Sequence, residues 1–426
     1  MLKIYKSTII TPKNDKRIEF FNPGYMAVDE KGMIKDISSK DLTKKYKNAE
    51  VIEYLDCVII PGLIDIHNHL PQYAFSGIGD LELLPWLDTY TFPREKEFED
   101  KEVSRQASDT FFKNLLENGT TTTVTYVTVH KNAADIAFES AEKNRIRAFI
   151  GKVEMNQNSP KYLMKDNDTL LRETEELIEK WHNSSDRLDY IITPRFAISC
   201  SFELMKNLAK LREKYDLFVQ SHLAENRREI KMVRKLYPEF KSYTEVYEKA
   251  GLLGPKTIMA HCIYLEKDEI EILKNTMTKI AHCPTSNSFL SSGIMPYIKY
   301  KDNLPIGLGS DIAGGYTLSM FEVARHAVEM SKIHEVMNDD TNKHMSTEEA
   351  FFLATLYGAE TLSMDDEIGS LEKGKKADFV VMDLEKIDPF YKMNLYNQPH
   401  EILSKIIYRG DKFSIKNVYI NGEKLI

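Results

Sequence analysis

The chain has 426 residues, of which 42% are hydrophobic and 10% are aromatic, and its formal net charge at pH 7 is -8. That length suffices for one large barrel-type domain beside a smaller one, and the composition excludes a disordered protein. The mild acidic balance disfavours a surface that coats nucleic acid, so we expect no nucleic-acid partner. A small purine-like ligand is compatible with it.

Apolar runs and cysteine usage indicate the compartment. The N-terminus lacks an uninterrupted apolar core of signal-peptide length, and no run approaches the length of a membrane span. The cysteines form no C-x-x-C motif and are typical of free thiols in a reducing compartment. They are Cys57, Cys200, Cys262 and Cys283. We therefore expect a cytoplasmic protein without a membrane partner.

Short β-like runs occupy both ends of the chain. They cover residues 3–11, 25–28, 51–55, 377–382 and 415–420. Turn signals stand at Asn22-Pro23-Gly24 and Lys31-Gly32, and Asn421-Gly422 is a type I′ hairpin signal. The pattern predicts a small β-sandwich domain assembled from residues 1–60 and 370–426.

Between the two ends, strand-like runs alternate with helical periodicity. The runs cover residues 58–66, 120–129, 148–153, 190–198, 217–221, 257–260, 279–282 and 305–308. This alternation predicts an α/β fold, a (β/α)8 TIM-type barrel over residues 61–369. An open doubly wound sheet is the alternative, but no Gly-x-Gly-x-x-Gly motif follows the first run.

Three segments between these runs place apolar residues at helical spacing. The first carries Val103, Ala107, Phe111 and Leu115, the second Leu170, Leu177, Ile178 and Trp181, and the third Leu204, Leu208, Leu211 and Tyr215. The stretch 94–102 mixes charges of both signs, and we interpret it as a solvated helix face.

His67 and His69 lie two residues apart at the end of the first barrel run. Residues i and i+2 of a strand share a face, so both imidazoles can reach one ion. Such a pair alone is a weak signal, because most His-x-His pairs are surface or core histidines.

Polar residues also end the later runs, and catalytic groups of a barrel lie at the carboxyl ends of its strands. These residues are Arg195 and Phe196 after run four, His222 and Glu225 at run five, His261 at run six, His282 and Cys283 at run seven, and Asp311 after run eight. So many ionisable groups in one ring indicate a metal or a substrate.

Three imidazoles and one carboxylate, from His67, His69, His222 and Asp311, would form a nitrogen-rich site for zinc or ferrous iron. Water bound there would have its pKa lowered towards 7. We expect His261 and Asp311 to orient and deprotonate this water. Glu225, three residues after His222, would carry protons to a ring nitrogen and to the leaving group.

Each of these residues also has a structural alternative. His222 and Glu225 could be a surface pair, although the preceding apolar run disfavours that, and His261 could be an ordinary core histidine. Asp311 could cap the following helix. Arg195 is costly to bury without an anionic or carbonyl partner, which favours substrate contact. We interpret His282 and Cys283 as packing residues, and likewise regard as ordinary His130, His182, His326, His334, His344 and His400.

The motifs PGLIDIHNH, SHLAEN, MAH and GLGSDIAGG, in that order, resemble the amidohydrolase superfamily across nearly the whole chain. Finer motifs are similar to the guanine deaminase family within it. They are PQYAFSG, LLPWLDTYTFPRE, ENGTTT, IITPRFAISCS, QSHLAENRREI and SSGIMP.

This resemblance implies a metal-dependent aminohydrolase that converts guanine to xanthine and ammonia in purine catabolism. It implies one zinc per subunit, with iron as the alternative, held by the four residues above, and a homodimer. Gln72, Arg195 and Phe196 would hold the purine beside His222 and Glu225. Trp86 lies in a loop that would close over the base. An amide and a guanidinium can read the carbonyl and ring-nitrogen edge of guanine while an aromatic face stacks on it.

Two positions depart from the family pattern. Cys262 stands where Gly is frequent, and Thr285 stands where Asn is common. No lysine is placed as a carboxylated bridge, so we expect a mononuclear site.

Two other functions stay open. One is the same chemistry on another amino-heterocycle, such as 8-oxoguanine, a pterin or a triazine. The other is a catalytically silent binding scaffold, which the complete ligand set disfavours.

Overall fold

The computed structural model describes residues 1–338, 343–395 and 397–426. Its strands are β1 (Lys3–Pro12), β2 (Ile18–Val28), β3 (Ile34–Ser38), β4 (Glu50–Pro61), β5 (Leu63–His69), β6 (Thr120–Tyr126), β7 (Arg147–Gly151), β8 (Val153–Glu154), β9 (Leu188–Pro194), β10 (Phe218–Leu223), β11 (Thr257–His261), β12 (Lys279–His282), β13 (Ile306–Leu308), β14 (Phe379–Asp383), β15 (Ile415–Ile420) and β16 (Glu423–Lys424).

The α-helices are α1 (Leu83–Trp86), α2 (Phe92–Lys96), α3 (Lys101–Glu117), α4 (Lys131–Asn144), α5 (Asn167–Trp181), α6 (Phe202–Tyr215), α7 (Arg227–Leu236), α8 (Tyr243–Ala250), α9 (Lys267–Thr276), α10 (Pro284–Phe289), α11 (Tyr297–Tyr300), α12 (Met320–Asn338), α13 (Thr347–Leu353), α14 (Leu356–Thr361), α15 (Leu384–Ile387) and α16 (Pro399–Arg409). A π-helical turn covers Leu87–Thr91. Short 3-10 helices cover Leu42–Lys44, Leu70–Phe75, Glu97–Glu99, Lys161–Leu163 and Tyr391–Met393.

Parallel strands form the predicted barrel in the order β5-β6-β7-β9-β10-β11-β12-β13, with β8 paired to β9. Where β13 comes back to β5, the amide of Asp311 donates to the carbonyl oxygen of His67 at 2.8 Å. The amide of His69 donates to the carbonyl oxygen of Ile312 at 3.0 Å. The last strand is therefore tied to the first at the level of the predicted site residues.

Helices α3, α5 and α6 confirm the three predicted amphipathic segments. Their apolar faces pack in the core of the barrel layer, and their N-termini are capped by the side chains of Asp100, Asp166 and Ser201. Each cap satisfies backbone amides that have no partner inside the helix. Within the described ranges, no helix is both long and apolar enough to span a bilayer.

Strands from both termini form the second sheet, as predicted, in the order β16-β15-β14-β4-β1-β2-β3. Successive residues of β4 and β14 point to opposite faces of this mixed sheet. Val58 and Val380 pack with the barrel core, whereas Ile59 and Val381 pack in a separate core on the other face. The domain limits at residues 60 and 370 stay a prediction.

The predicted run 58–66 is divided between the two sheets. Residues 58–61 end β4, and β5 begins at Leu63. At the junction, a Cβ atom on Gly62 would lie 2.1 Å from Oγ1 of Thr121, so this close approach requires glycine. One apolar run therefore belongs to two sheets because the chain turns at a glycine that periodicity alone does not detect.

The two predicted turns with strong signals have different outcomes. Asn421 and Gly422 connect β15 to β16 with φ of 49° and 69°, which confirms the predicted hairpin. The turn predicted at residues 22–24 is wrong, because these residues lie inside β2. There the register against β1 shifts between Ser7 and Ile9, so the Pro-Gly pair marks an irregularity within a strand.

A buried ion pair joins the barrel to the terminal sheet. Nη2 of Arg147 lies 3.1 Å from Oδ2 of Asp378, and the two side chains are only 1% and 2% exposed. Arg147 also donates to the carbonyl oxygen of Asp186 at 2.7 Å. Removing one partner of such a pair leaves an uncompensated buried charge.

Asp378→Asn is therefore expected to lower the free energy of unfolding by about 3–5 kcal/mol. Glu423→Gln is the matched control, because Glu423 of β16 pairs with Arg145, which lies between α4 and β7, but both side chains are about half exposed. We expect the control to cost at most about 1 kcal/mol. Denaturant unfolding followed by circular dichroism measures both. Equal losses of unfolding free energy in the two variants would show that burial does not determine how much the Arg147–Asp378 ion pair contributes to stability.

Candidate active site

The predicted site residues meet at one end of the barrel, where its parallel strands end. His67 and His69 lie at the end of β5, His222 lies in β10, His261 ends β11, and Asp311 follows β13. All five are buried, and the most exposed of them, His222, is only 9% exposed. Alternating positions on β5 and the ends of three further strands thus converge on one point.

Short contacts join these side chains. Nε2 of His67 and Nε2 of His69 lie 3.2 and 3.3 Å from the same oxygen, Oδ1 of Asp311. Nε2 of His69 lies 3.2 Å from Nε2 of His222. The other oxygen, Oδ2 of Asp311, lies 3.7 Å from Nε2 of His261. Ligand-type atoms of His67, His222, His261 and Asp311 lie within 4.8 Å of one another. The result is one compact cluster of four imidazoles and a carboxylate.

Hydrogen bonds orient two of the rings. Nδ1 of His222 donates to the carbonyl oxygen of Arg195 at 2.6 Å, and Nδ1 of His261 donates to Oδ1 of Asn287 at 2.8 Å. Because both acceptors lack a proton, they place the ring proton on Nδ1 and leave Nε2 with a free lone pair. Both Nε2 atoms therefore face the cluster as potential ligands.

Burial also sets the charge of the cluster. Desolvation lowers the pKa of His69 to about 3 and lowers the pKa of His222 well below its usual value. Burial opposes ionisation of Asp311, but His67 and His69 outweigh it and hold the pKa of this carboxyl well below its ordinary range. Neutral imidazoles and an ionised carboxylate are the forms that bind cations.

The donor set fits a divalent metal. Nε2 of His67 and Nε2 of His261 are buried without a hydrogen-bond partner among the described residues. A buried polar atom without a partner is costly, and binding of a cation or a water satisfies it. The cluster is therefore able to hold a metal that nitrogen and carboxylate ligands prefer.

Asp65, which the sequence analysis did not single out, forms hydrogen bonds with residues that neighbour His67 and Asp311. Its carboxylate accepts from the amide and the hydroxyl of Ser310 at 2.9 and 2.6 Å and from Nδ2 of Asn68 at 2.9 Å. Burial raises the pKa of Asp65, although these hydrogen bonds act in the opposite direction. The side chain thereby holds the residues next to His67 and Asp311 in one register.

Glu225 faces the cluster from the loop after β10. Its Oε2 lies 3.4 Å from Nε2 of His261, and its Oε1 accepts from the hydroxyl of Ser292 at 3.1 Å. Its backbone amide donates to Oε2 of Glu229 at 2.9 Å. Burial, with the nearby charge of Asp311, raises the pKa of Glu225 to about 8. A carboxyl group that titrates near neutral pH can both accept and donate a proton.

The cluster borders a cavity that His69, His222, His261 and Asp311 help to line. All residues predicted to contact substrate line this cavity, and they are Gln72, Trp86, Arg195, Phe196, His222 and Glu225. The indole of Trp86 is fixed by a 2.7 Å hydrogen bond to the carbonyl oxygen of Ile78. Leu83 and Leu87 beside it make this part of the wall apolar.

Sequence reasoning missed Glu95 in α2. The stretch 94–102 was interpreted as a solvated helix face, which is wrong for Glu95, since this side chain is 0% exposed. Nη1 of Arg195 lies 2.8 Å from each of its carboxylate oxygens. The anionic partner that a buried Arg195 requires is thus supplied by the protein.

The two positions that depart from the family pattern are both buried. Cys262 has a φ of 51°, in the left-handed region that favours glycine, which accounts for Gly at the corresponding family position. Thr285 donates to the carbonyl oxygen of Ser310 at 3.3 Å.

The remaining histidines and Cys283 make no such cluster within the described ranges. His282 and Cys283 are buried at the end of β12, and burial lowers the pKa of His282 to about 3. His182 contacts Asp189 at 3.2 Å, outside the cavity described above.

Comparison with known proteins adds independent information. A model of the amidohydrolase family matches residues 58–425. A guanine deaminase of Mus musculus is 39% identical over 86% of this chain and 82% of its own. A guanine deaminase of Dictyostelium discoideum is 36% identical over 100% of this chain and 98% of its own.

Among solved structures, guanine deaminase from C. acetobutylicum with guanine bound in its active site matches with a TM-score of 0.95 and 40% identity over 100% of both chains. The family model spans most of the sequence, and these relatives cover nearly all of it at identities well above the level of fold similarity alone. The chain belongs to the amidohydrolase family and, within it, to the guanine deaminases.

Proposed function

We propose that this protein catalyses the hydrolytic deamination of guanine to xanthine and ammonia. The observation that carries the proposal is a single cavity bordered by His222, His261 and Asp311 and also by Arg195 and Gln72. Groups that can activate water and groups that can read a heterocycle edge therefore face the same small volume. The relatives compared above carry the name of this activity.

For the cofactor we propose one divalent cation per chain, zinc in preference to iron. At zinc–nitrogen distances of about 2.0–2.1 Å, tetrahedral ligand atoms lie about 3.3–3.4 Å apart. The separations of 3.2, 3.3 and 3.2 Å that link His67, His69, His222 and Asp311 are close to this value. These distances support the four residues as ligands, and a cation bound there supplies Lewis-acid activation of water.

The proposed chemistry of the chain's own residues centres on Glu225. Water adds its hydroxyl to the amino-bearing carbon of guanine. Glu225 carries the proton released by the water to the adjacent ring nitrogen. It then carries the hydroxyl proton of the adduct to the amino group, so that the carbon–nitrogen bond breaks, ammonia leaves and the carbonyl group of xanthine forms. His261 and Asp311 orient the attacking water, since Nε2 of His261 lies between Glu225 at 3.4 Å and Oδ2 of Asp311 at 3.7 Å.

Recognition of the base is assigned to the side chains on the other parts of the wall. The guanidinium of Arg195 and the amide of Gln72 provide donors and an acceptor for the carbonyl and ring-nitrogen edge. The rings of Phe196 and Trp86 offer apolar faces to a planar ligand. A ligand without such an edge would leave these buried polar groups unpaired, which is a strong source of selectivity.

Ammonia release from zinc-loaded protein tests the proposal directly. The substrates are guanine, 8-oxoguanine, a pterin and a triazine, each assayed with and without a chelator. We expect turnover of guanine that the chelator abolishes. Turnover of another heterocycle in place of guanine would reassign the substrate, and no turnover of any ring by metal-replete protein would support a silent scaffold.

We further propose a role in purine catabolism, a cytoplasmic location and a homodimer. The four cysteines are buried as thiols, which suits a reducing compartment. Large apolar side chains are exposed at Val336, Met337 and Phe390, and such side chains are candidates for a subunit interface. Light scattering after size-exclusion chromatography measures the subunit number, and a monomer would contradict the dimer.

A further inference from the structure

Glu95 is an anionic group that the chemistry above does not use, and it is completely buried beside the cavity. Nη1 of Arg195 contacts Oε1 and Oε2 of Glu95 at 2.8 Å each, and the Arg195 side chain is only 3% exposed. The guanidinium carbon also lies 5.3 Å from the centre of the Phe92 ring, one helix turn before Glu95. The guanidinium of Arg195 is thus held by the carboxylate of Glu95 and lies near the aromatic ring of Phe92.

The same carboxylate also holds Gln72. Nε2 of Gln72 donates to Oε1 of Glu95 at 3.3 Å, and Oε1 of Gln72 accepts from the amide of Ala313 at 3.4 Å. These two bonds fix which end of the amide is the donor and which is the acceptor. One carboxylate therefore orients both polar side chains that are assigned to the base.

The contact with Glu95 also changes the net charge of the cavity wall at Arg195. A lone buried guanidinium would attract anions into the cavity, but an adjacent carboxylate cancels its charge. Nε and Nη2 of Arg195 make no hydrogen bond with the described residues and stay available as donors. The wall therefore offers directed N–H groups without a net positive charge, an arrangement that suits a neutral planar ring better than an anion.

We propose that Glu95 is a positioning and specificity-determining residue, which holds Arg195 and Gln72 and makes the cavity select neutral heterocycles over anionic ones. This inference rests on the proposed function for the identity of the substrate. Glu95 acts through two other side chains and does not itself touch the base. It also ties α2, which follows the segment with Trp86 and Leu87, to the barrel.

Glu95→Gln tests the proposal. The variant keeps the size of the side chain but leaves Arg195 as an uncompensated cation. We expect kcat/KM for guanine to fall about 10- to 100-fold, as after loss of one buried hydrogen-bond partner, mainly through KM. Zinc content is expected to stay at the wild-type level. Affinity for an anionic purine such as urate, measured by calorimetry relative to a neutral purine, is expected to rise.

Glu97→Gln is the matched control, because Glu97 lies two residues further along and its side chain is 54% exposed. It is expected to change neither kcat/KM nor the preference for neutral ligands. An unchanged ligand preference in folded Glu95→Gln protein would overturn the proposal. Calorimetry needs no turnover, so this result is separate from a failure of the wild type to deaminate guanine.

A double-mutant cycle separates positioning from a general structural role. If Glu95 sets the charge preference through Arg195, then adding Glu95→Gln to Arg195→Met changes the preference for neutral ligands little further, and a further rise in KM measures the hold of Glu95 on Gln72. The double variant also removes both charges together, so it is the form expected to fold best if either single variant is unstable. Changes in ligand preference that multiply in the double variant would contradict the assignment.

Discussion

Glu225→Gln is expected to lower kcat for ammonia release about 10²–10⁴-fold while the zinc content stays at the wild-type level. Glutamine can keep the hydrogen bond to Ser292, which the carboxylate accepts at 3.1 Å, but it cannot carry a proton. Burial and the charge of Asp311 raise the pKa of Glu225 to about 8, so the native carboxyl exchanges protons readily near neutral pH. Steady-state kinetics and metal analysis of the same sample measure the two quantities.

The control for this variant is Glu203→Gln, which makes the same chemical change in the exposed first turn of α6. We expect it to retain wild-type kcat. A near-normal rate in Glu225→Gln would remove this residue from the proton-transfer role. Loss of zinc together with activity would place it among the ligands instead.

Much of the barrel was predictable because its signals are local. The run 279–282 coincides with β12, and the run 257–260 falls one residue short of β11, since apolar strands alternate here with amphipathic helices. The ends of strands were less predictable where one apolar stretch of chain contributes to two sheets. Residues 58–61 and 63–69 have the same apolar character, and only the packing of Gly62 against Thr121 separates them.

The candidate site was predictable for a related reason. A barrel brings the carboxyl ends of its strands together, so His222, His261 and Asp311 could be placed near His67 from strand positions alone. The structure does bring them within 4.8 Å of one another. The distinction between a ligand and a water-orienting group depends on tenths of an ångström, which no sequence pattern contains.

Glu95 and Asp65 show what local patterns cannot reveal. Glu95 stands in a stretch of mixed charges, and its burial depends on Arg195, which lies 100 positions away in the sequence. Asp65 lies inside an apolar strand, and its partner Ser310 lies 245 positions away. Such a buried carboxylate is stable only when a distant segment supplies its donors, so the sequence near it carries no sign of its role.

His69 and His261, which face opposite carboxylate oxygens of Asp311, are expected to behave differently when replaced. His69→Ala should weaken zinc binding more than about 100-fold, because even changes to groups that only support a ligand cost about 10–100-fold. His261→Ala should keep zinc and lose about 10²–10⁴-fold in kcat, the loss expected for a group that orients or deprotonates water. His400→Ala, an exposed site on α16, is the control for both.

The geometry gives the reason for this difference. Nε2 of His69 lies 3.3 Å from Oδ1 of Asp311 and 3.2 Å from Nε2 of His222, which are spacings of ligands that share one tetrahedral ion. Nε2 of His261 lies 3.7 Å from Oδ2 of Asp311 and 3.4 Å from Oε2 of Glu225, which suits the proposed role of deprotonating the attacking water. Competition with a chromophoric chelator measures the zinc affinity of each variant. If His261→Ala loses zinc and His69→Ala retains it, then His261 is the metal ligand and His69 is not. Glu225 would in that case lie against a metal ligand and not against a group that orients water.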